Sequence, residues 1–591
     1  MTAAGGGAPT RSARMLLALA AVAVAFAAAD TYVVVLALPD MMAGVGLSIE
    51  ELQRAAPLIS GFLLGYVAML PLIGRIADLR GRLPVLGAGL VVFAGGSLLT
   101  ALAYDLSSMV AGRFLQGLGG GALVPATLAL VADLYPVERR GVPLGLVSAV
   151  QELGSVLGPL GGAVILALAD WRGIFLVNLA VGLLLAAAIR RLGGLGVRAP
   201  SPPRRVPDLL GLLLLVVMLA AYTIAAVEPT GMMRDLTWGR LFIPVAGSGR
   251  WLTPLGLTTI GAAVLLLLRC LTARRPLVDL RGWAASARDV DLIGAFLLAV
   301  ALGGVILAFA TADPQVQVFS TQGVWYLVAA AIAALALIIH LRRTADPLLP
   351  RGALRRTPAW GSVVVSFFVG AALVAALIDI PLFARTTVYG DSQLKAALVL
   401  LRFLVALPIG AVIGGYLTRR VPAGLVAGAG MLLAAVGFGL MTQWDADTLH
   451  HLSATLPLVV GGLGFGLALA PVNAAVLATT DSAVHGLTSS LVVVARMVGM
   501  LVGISGLTTL GLRRYYSEQG DLPSIAQVCG SGHGLCDRYE HLLRAAGIAQ
   551  EHTVFAGAAV AALAGGVLAV VLFRGAPTRA VGTREALAGL G

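Results

Sequence analysis

The chain contains little charge. Only 12% of its 591 residues are Asp, Glu, Lys or Arg, against about 25% in soluble proteins, and its only lysine is Lys395. Hydrophobic residues make up 59% of the chain, and the mean hydropathy is +0.94. These values exclude a soluble enzyme. They also exclude nucleic acid as a partner despite the net charge of +12, because the basic residues of a polytopic membrane protein set its orientation from cytoplasmic loops.

Signatures of catalysis and cofactor binding are also lacking. The sequence contains no nucleophile elbow, no phosphate-binding glycine loop followed by lysine and no H-E-x-x-H zinc motif. The seven histidines have no metal-ligand spacing within the apolar segments. We therefore predict no cofactor, no metal and no enzymatic activity. Without an ATP site, the energy for any transport must come from an ion gradient or from the gradient of the substrate.

Cysteines are few. Cys529 and Cys536 are separated by a glycine-rich spacer in a segment predicted to lie outside the cell, where an oxidising environment permits a disulfide. The alternatives are two free thiols or a zinc site with His533, which lacks a fourth ligand. Cys270 lies at the inner end of a predicted span and should remain a thiol.

Long apolar runs occupy most of the chain. A membrane-spanning helix needs about 20 apolar residues, so the sequence predicts an all-α polytopic membrane protein with sixteen spans. The first run is too long for a signal-peptide core and has no clear cleavage site. The predicted spans are about 15–38, 54–77, 83–105, 107–132, 142–168, 173–190, 208–227, 252–271, 288–311, 322–341, 358–383, 393–415, 421–442, 455–480, 483–513 and 552–573. Arginines concentrate in the loops after even-numbered spans, which predicts that both termini are cytoplasmic.

The middle of the chain contains a repeat. Residues 206–211 (VPDLLG) open one pair of helices and residues 290–294 (VDLIG) open the next, and each pair ends in a basic segment with a proline and a glycine. We interpret the repeat as a duplicated two-helix insert, with chance similarity between apolar helices as the alternative. The predicted division is a six-helix bundle at 1–192, four central helices at 193–357, a second six-helix bundle at 358–574 and a cytoplasmic tail at 575–591.

The loop after the second span contains Gly74, Asp78, Gly81 and Arg82 in a G-x-x-x-D-x-x-G-R pattern. Glycine allows a tight turn and close helix approach. Asp78 can accept hydrogen bonds from arginines and from a neighbouring helix N-terminus. We predict a conformational latch here, and the alternative is a turn whose charges only set topology.

The fifth span contains Gly154, Gly158, Pro159 and Gly162 in a G-x-x-x-G-P-x-x-G pattern. Small residues allow close packing of helices within a membrane, and proline bends a helix and frees a backbone carbonyl. Two further patterns are R-x-x-Q-G at 113–117 and W-R-x-x-F-x-x-N at 171–178.

These four patterns together resemble the major facilitator superfamily, and the W-R-x-x-F-x-x-N pattern resembles its fourteen-helix drug:proton antiporter branch. Within that branch, the mycobacterial exporters of triacylglycerol and drugs are resembled by residues 30–35 (DTYVVV), 151–160 (QELGSVLGPL), 406–412 (ALPIGAV) and 492–497 (VVVARM). One departure is Leu79, where the family usually has arginine. The resemblance implies two six-helix bundles, a bacterial cytoplasmic membrane, alternating access, a monomer and a periplasmic lipoprotein as a partner. The four central helices exceed the fourteen-helix pattern by two.

A few ionisable residues lie at membrane depth, where a charge costs roughly 3 kcal/mol or more. We predict that Asp30 and Glu152 carry protons. Arg496, Arg402 and Arg113 are predicted interdomain or coupling cations, and Asp379 is predicted to order the outer vestibule. The alternative is that these residues form permanent buried ion pairs.

The sequence thus predicts a proton-coupled exporter of amphipathic or lipidic molecules, with membrane lipids, protons and a hydrophobic or lipid substrate as its partners. One rival is a dedicated lipid translocator with little proton coupling. A membrane-embedded enzyme or scaffold is the other, but it would need polar catalytic clusters that these short, arginine-rich loops lack.

Overall fold

The structure is almost entirely helical. The computed structural model describes residues 11–47, 52–196, 208–246, 249–273, 276–288, 290–310, 322–344, 346–389, 392–529 and 536–578. Within these ranges the chain forms helices and connecting turns, and no β-strand occurs. The predicted all-α fold is confirmed.

Sixteen long helical segments follow the sixteen predicted spans in order. They are α1 (Arg11–Gly44), α2 (Leu52–Leu63, Leu64–Ala68 and Leu70–Arg80), α3 (Arg82–Ala101), α4 (Leu106–Gly121 and Leu123–Leu134), α5 (Gly141–Leu168), α6 (Arg172–Gly196), α7 (Leu209–Val227), α8 (Pro254–Thr272), α9 (Leu292–Ala310), α10 (Gly323–Arg343), α11 (Thr357–Thr387), α12 (Gln393–Leu417), α13 (Ala423–Met441), α14 (Thr455–Thr479), α15 (His485–Gly520) and α16 (Asp537–Leu572).

Length and composition allow fourteen of these segments to cross a membrane unaided, and α2 does so as a pair bent by 40°. The remaining segment, α5, has 28 residues and a single ionisable side chain, Glu152. The bend in α2 follows from Pro71, which lacks an N–H and clashes with the carbonyl four residues earlier. It comes directly after a π-helical turn, Leu64–Ala68.

The helices pack in two groups. In the first half α1 packs on α5, and α3 packs on α4 and α6; in the second half α11 packs on α15 and α16, and α14 packs on α12 and α13. The halves meet where α5 lies against α12 and where α2 and α4 lie against α15. The contacts of any residue at these interfaces will therefore change when the two halves move relative to each other.

The central helices form two antiparallel pairs, α7 with α8 and α9 with α10. The carboxylate of Asp208 caps α7 by accepting the Gly211 N–H, and it also accepts from the Arg269 side chain and the Leu277 N–H. These hydrogen bonds, led by that from Gly211, lower the pKa of Asp208.

The second pair repeats this arrangement with Asp291. Its carboxylate accepts the Gly294 and Leu348 N–H groups and lies 2.7 Å from Nε2 of His340. Burial opposes ionisation of Asp291, but these hydrogen bonds outweigh it and lower the pKa. Equivalent contacts from equivalent positions support the duplication inferred from the sequence.

The predicted outer loop 514–551 is largely wrong. α15 continues to Gly520 and α16 begins at Asp537, so both helices have 36 residues. At about 1.5 Å per residue, each is near 54 Å long, well beyond the roughly 30 Å of a bilayer core. We call the polar ends of the two helices and their connection, residues 513–544, the terminal hairpin. Hydropathy marks only the apolar part of such helices, which explains the error.

Candidate functional site

Three of the four residues of the predicted latch, Gly74, Asp78 and Arg82, contact the second half of the chain. Asp78 accepts the backbone N–H groups of Gly486 at 2.8 Å and Leu487 at 3.0 Å. These are among the first N–H groups of α15, which no carbonyl within that helix can bind. The carboxylate of one half thus caps a helix of the other half, and the positive end of the helix dipole favours its charge.

Glycine and arginine residues complete the latch. A Cβ on Gly74 would lie 2.5 Å from the Gly486 carbonyl oxygen, so the helices approach too closely for any side chain. Gly81 has a φ of +96°, which only glycine adopts readily. Arg82 lies 3.0 Å from Asp78 and donates to the Ser482 carbonyl. Leu79, the position that departs from the family pattern, is exposed.

Further contacts close this side of the protein, which we call the latch side. Arg140, before α5, donates to the carbonyl of Leu477 at the end of α14. A Cβ on Gly141 would lie 2.2 Å from the Gly415 carbonyl oxygen, and one on Gly145 would lie 2.3 Å from that of Ala411. Backbones of α5 and α12 therefore touch over more than one turn.

Asp30 lies in a buried network within the first half. Its carboxylate is 2.7 Å from Nη1 of Arg113, and both side chains are almost fully buried. Asn178 and Gln116 also donate to Asp30. Two separate sequence patterns, the R-x-x-Q-G of α4 and the W-R-x-x-F-x-x-N of α6, thus converge on the carboxylate of α1.

The other predicted proton carrier, Glu152, pairs across the two halves. Its Oε1 lies 3.6 Å from Nη1 of Arg496 on α15, and both side chains are buried. This separation exceeds a hydrogen bond, whereas the Asp30–Arg113 pair is tight. The predicted acids therefore have different partners: Asp30 is paired inside one half, and Glu152 spans the interface.

A narrow cavity with room for about one water molecule lies beside this pair. Valine and leucine side chains of α4, α11, α14 and α15 line it, together with Ser148, Gln151, Asn473 and Arg496. The Asn473 amide donates to Ser148 across the interface at 3.5 Å. The centre of the protein thus offers both apolar and polar contacts but is collapsed in this conformation.

Tyr66 is a site residue that the sequence reasoning missed. It lies in the π-helical turn of α2, is buried, and is within electrostatic range of both Glu152 and Arg496. π-Helical turns are frequent at functional sites. Pro71, five residues later, was the available signal, because it predicts that α2 is broken at this depth.

The predicted antiporter pattern packs α5 onto α1. A Cβ on Gly154 would lie 2.1 Å from the Ala25 carbonyl oxygen, and one on Gly158 would lie 2.3 Å from that of Ala29. Gly162 is buried, and the side chain of Pro159 is outside those the structure describes. The close contacts of Gly154 and Gly158 therefore lie within the first half.

The remaining predicted residues lie elsewhere. Arg402 donates to the hydroxyl of Thr455, so its described contact is within the second half. Cys529 and Cys536 form a disulfide in the terminal hairpin with a Cα–Cα distance of 5.7 Å, and Cys270 is a buried thiol. The described residues include no cluster of three or more potential metal ligands.

Comparisons with known proteins agree on one family. The sequence profile of the Major Facilitator Superfamily matches residues 20–341. A triacylglyceride transporter of Mycolicibacterium smegmatis is 34% identical, with 93% of this chain and 86% of the relative covered. One of Mycobacterium tuberculosis is also 34% identical, with coverage of 85% and 83%.

Among solved structures, the proton:xylose symporter has a TM-score of 0.51 and 14% identity, covering 97% of this chain and 98% of the other. The human organic anion transporter TETRAN also gives 0.51 and 14%, with coverage of 94% and 99%. At this identity the two structures support the fold alone.

Proposed function

Because this chain belongs to the major facilitator superfamily, we propose that it is a proton-coupled exporter that moves amphipathic or lipidic molecules out of a bacterial cytoplasmic membrane by alternating access. It is a multi-pass membrane transporter and not an enzyme, as the sequence predicts. In this proposal residues 1–192 and 358–574 are the two bundles that rock, residues 193–357 are an insert, residues 575–591 are a tail, and both termini are cytoplasmic.

The observation that carries proton coupling is the ion pair between Glu152 and Arg496. Protonation of Glu152 removes one of two opposite charges and leaves a weaker contact between the halves. A proton can therefore bias the protein toward separation of α5 and α15, and loss of the proton can restore the pair. Asp30 remains a predicted proton carrier, although its closest partner, Arg113, belongs to its own half.

The substrate class rests on two observations. The relatives are named triacylglyceride transporters, and the central cavity combines aliphatic walls with the polar side chains of Ser148, Gln151 and Asn473. Such walls suit a molecule with acyl chains and a small polar region. Multidrug export by the same cavity is part of the proposal, because aliphatic walls impose little chemical selectivity.

The proposed periplasmic lipoprotein would contact the terminal hairpin, since the length of α15 and α16 places the hairpin outside the bilayer. Tyr515 and Tyr516 form an edge-to-face pair there, and Tyr516 is half exposed.

Purified protein in proteoliposomes tests the coupling. An imposed pH gradient should drive efflux of a fluorescent acylglycerol by the wild type, and Glu152→Gln should abolish the dependence on the gradient. Glu138→Gln makes the same chemical change in a turn outside the helices and should transport normally. Wild-type efflux that ignores the gradient would instead support the lipid translocator with little proton coupling.

A further inference from the structure

A second pair of buried acids lies in the second half. Asp379 of α11 and Glu551 of α16 are 5% and 1% exposed, and their carboxyl groups lie close enough to interact directly. The sequence places Asp379 at the outer end of its span but does not find Glu551, because the predicted sixteenth span begins one residue later.

Two ionised carboxylates cannot form this contact, since both are acceptors only. The Gln550 amide donates to Oε1 of Glu551 at 3.3 Å, and Oε2 is buried without any donor in the described part of the chain. A proton on one carboxyl supplies the missing donor. In addition, two like charges in contact in a buried site repel each other, which favours the state with one bound proton over the doubly ionised state.

Arg544 is a cation that lines the cavity beside Glu551. None of the ion pairs of the described residues includes Asp379 or Glu551. Each acid interacts with the other, and Glu551 also interacts with Gln550. The adjacent His552 is turned toward the carbonyl of Trp444, at 2.6 Å. This pair therefore differs from Asp30 and Glu152, each of which forms an ion pair with an arginine.

A cavity on the side opposite the latch is lined by Glu551 of this pair. It is lined by Thr386, Tyr515, Arg544, Gln550 and Glu551 and has a volume of about 330 Å³. Asp379 is 22 residues beyond the start of α11 and Glu551 is 21 residues before the end of α16, which is roughly 30 Å from the latch-side end of each helix. Water in the cavity can thus exchange protons with Glu551.

We propose that Asp379 and Glu551 form a second proton-binding site that holds one shared proton and is reached from the side opposite the latch. A hydronium ion in the cavity transfers its proton to a carboxylate oxygen and leaves as water, and the occupied pair carries one negative charge. The site deepens the proposed proton coupling by adding a proton site in the second half. Proton binding itself does not depend on the proposed function.

Infrared spectroscopy of the purified full-length protein at neutral pH tests the binding. The wild type should show the carbonyl stretch of a protonated carboxylic acid, which Glu551→Gln and Asp379→Asn should both lose and Glu152→Gln should retain. The amide in Glu551→Gln can donate to Asp379 and preserve the fold, and a thermal melt verifies this. A missing band in the wild type, or its loss only in Glu152→Gln, would overturn the proposal.

Thiol labelling tests the route. Thr386→Cys in a Cys270→Ser background should react with a membrane-impermeant maleimide applied from the hairpin side and not from the latch side. Labelling from the latch side alone, or from neither side, would overturn the proposed access. Failure of gradient-driven efflux in proteoliposomes would contradict the proposed function and leave both of these readouts intact, so the two failures are distinguishable.

Discussion

At the scale of single residues, the tight pair of Asp30 and Arg113 has a measurable consequence. Breaking a buried ion pair by removing one partner costs about 3–5 kcal/mol, because the other charge remains buried without compensation. Asp30→Asn should therefore lower the thermal stability of the detergent-solubilised protein markedly. The double variant Asp30→Asn with Arg113→Gln should melt at a higher temperature than the single one. A double variant less stable than Asp30→Asn would show that Arg113 has other, larger contributions.

Counting along the apolar segments locates the charges at membrane depth but cannot pair them. The sequence places Arg113 among the coupling cations, whereas its partner is the acid of its own half. Glu152 and Arg496 meet across the interface as expected for an interdomain cation. Glu551 was not identified from the sequence, because a hydropathy pattern ends the predicted span at the first polar residues. Only the structure shows that the helix continues beyond them.

At the scale of helices, the glycines of α5 differ in what surrounds them. Gly154→Ala places a methyl group 2.1 Å from the Ala25 carbonyl oxygen, so α1 and α5 must separate and stability should fall by 1 kcal/mol or more, about the cost of overpacking a core. Gly161→Ala in the same pattern meets no atom within 4 Å. It should be neutral or slightly stabilising, because alanine favours helix. Equal melting temperatures of the two variants would contradict this packing.

The capped helix pairs predict a dependence on pH. Asp208 and Asp291 have lowered pKa values in the folded protein. Their contribution to the stability of the folded protein is therefore complete above the usual aspartate pKa of about 4. It is lost as the pH falls through the folded values. Asp291→Asn should reduce the difference between melting temperatures at neutral and strongly acidic pH.

Asp521→Asn, in an exposed turn of the terminal hairpin, serves as the control for that variant and should keep the wild-type difference. A full acid sensitivity in Asp291→Asn would show that the cap of α9 contributes nothing.

The helices themselves were predictable because membrane spans need long apolar runs, and the order of all sixteen agrees with the sequence. The ends of the helices were harder to predict. α15 and α16 extend by about 7 and 15 residues beyond the predicted spans, since residues outside a bilayer can stay helical when they are polar. The repeat was visible because its capping aspartates and glycines recur at the same spacing.

At the scale of the whole molecule, the latch favours the conformation that is closed on its side. Asp78→Asn removes the charge that caps α15 and turns one acceptor oxygen into a donor that faces backbone N–H groups. The open conformation should gain population. Ser148→Cys, in the cavity and buried here, should react faster with a thiol reagent from the latch side when Asp78→Asn is present.

Asp133→Asn provides the matched control for the latch. Asp133 also contacts Arg82, at 3.3 Å, but it is exposed, and within the described residues no hydrogen bond joins it to the other half. Its replacement should leave the labelling rate of Ser148→Cys near the wild-type value. Equal acceleration by both variants would attribute the latch to Arg82 alone.

One helix connects the latch to the terminal hairpin. α15 receives Asp78 at its first turn, carries Arg496 eleven residues later and ends at Gly520, about 54 Å away at the rise of a helix. Because α15 is a long helix held at its first turn, a small tilt at that end produces a larger displacement at its other end. A protein that binds the terminal hairpin would therefore respond to the conformation of the transporter without contacting its substrate.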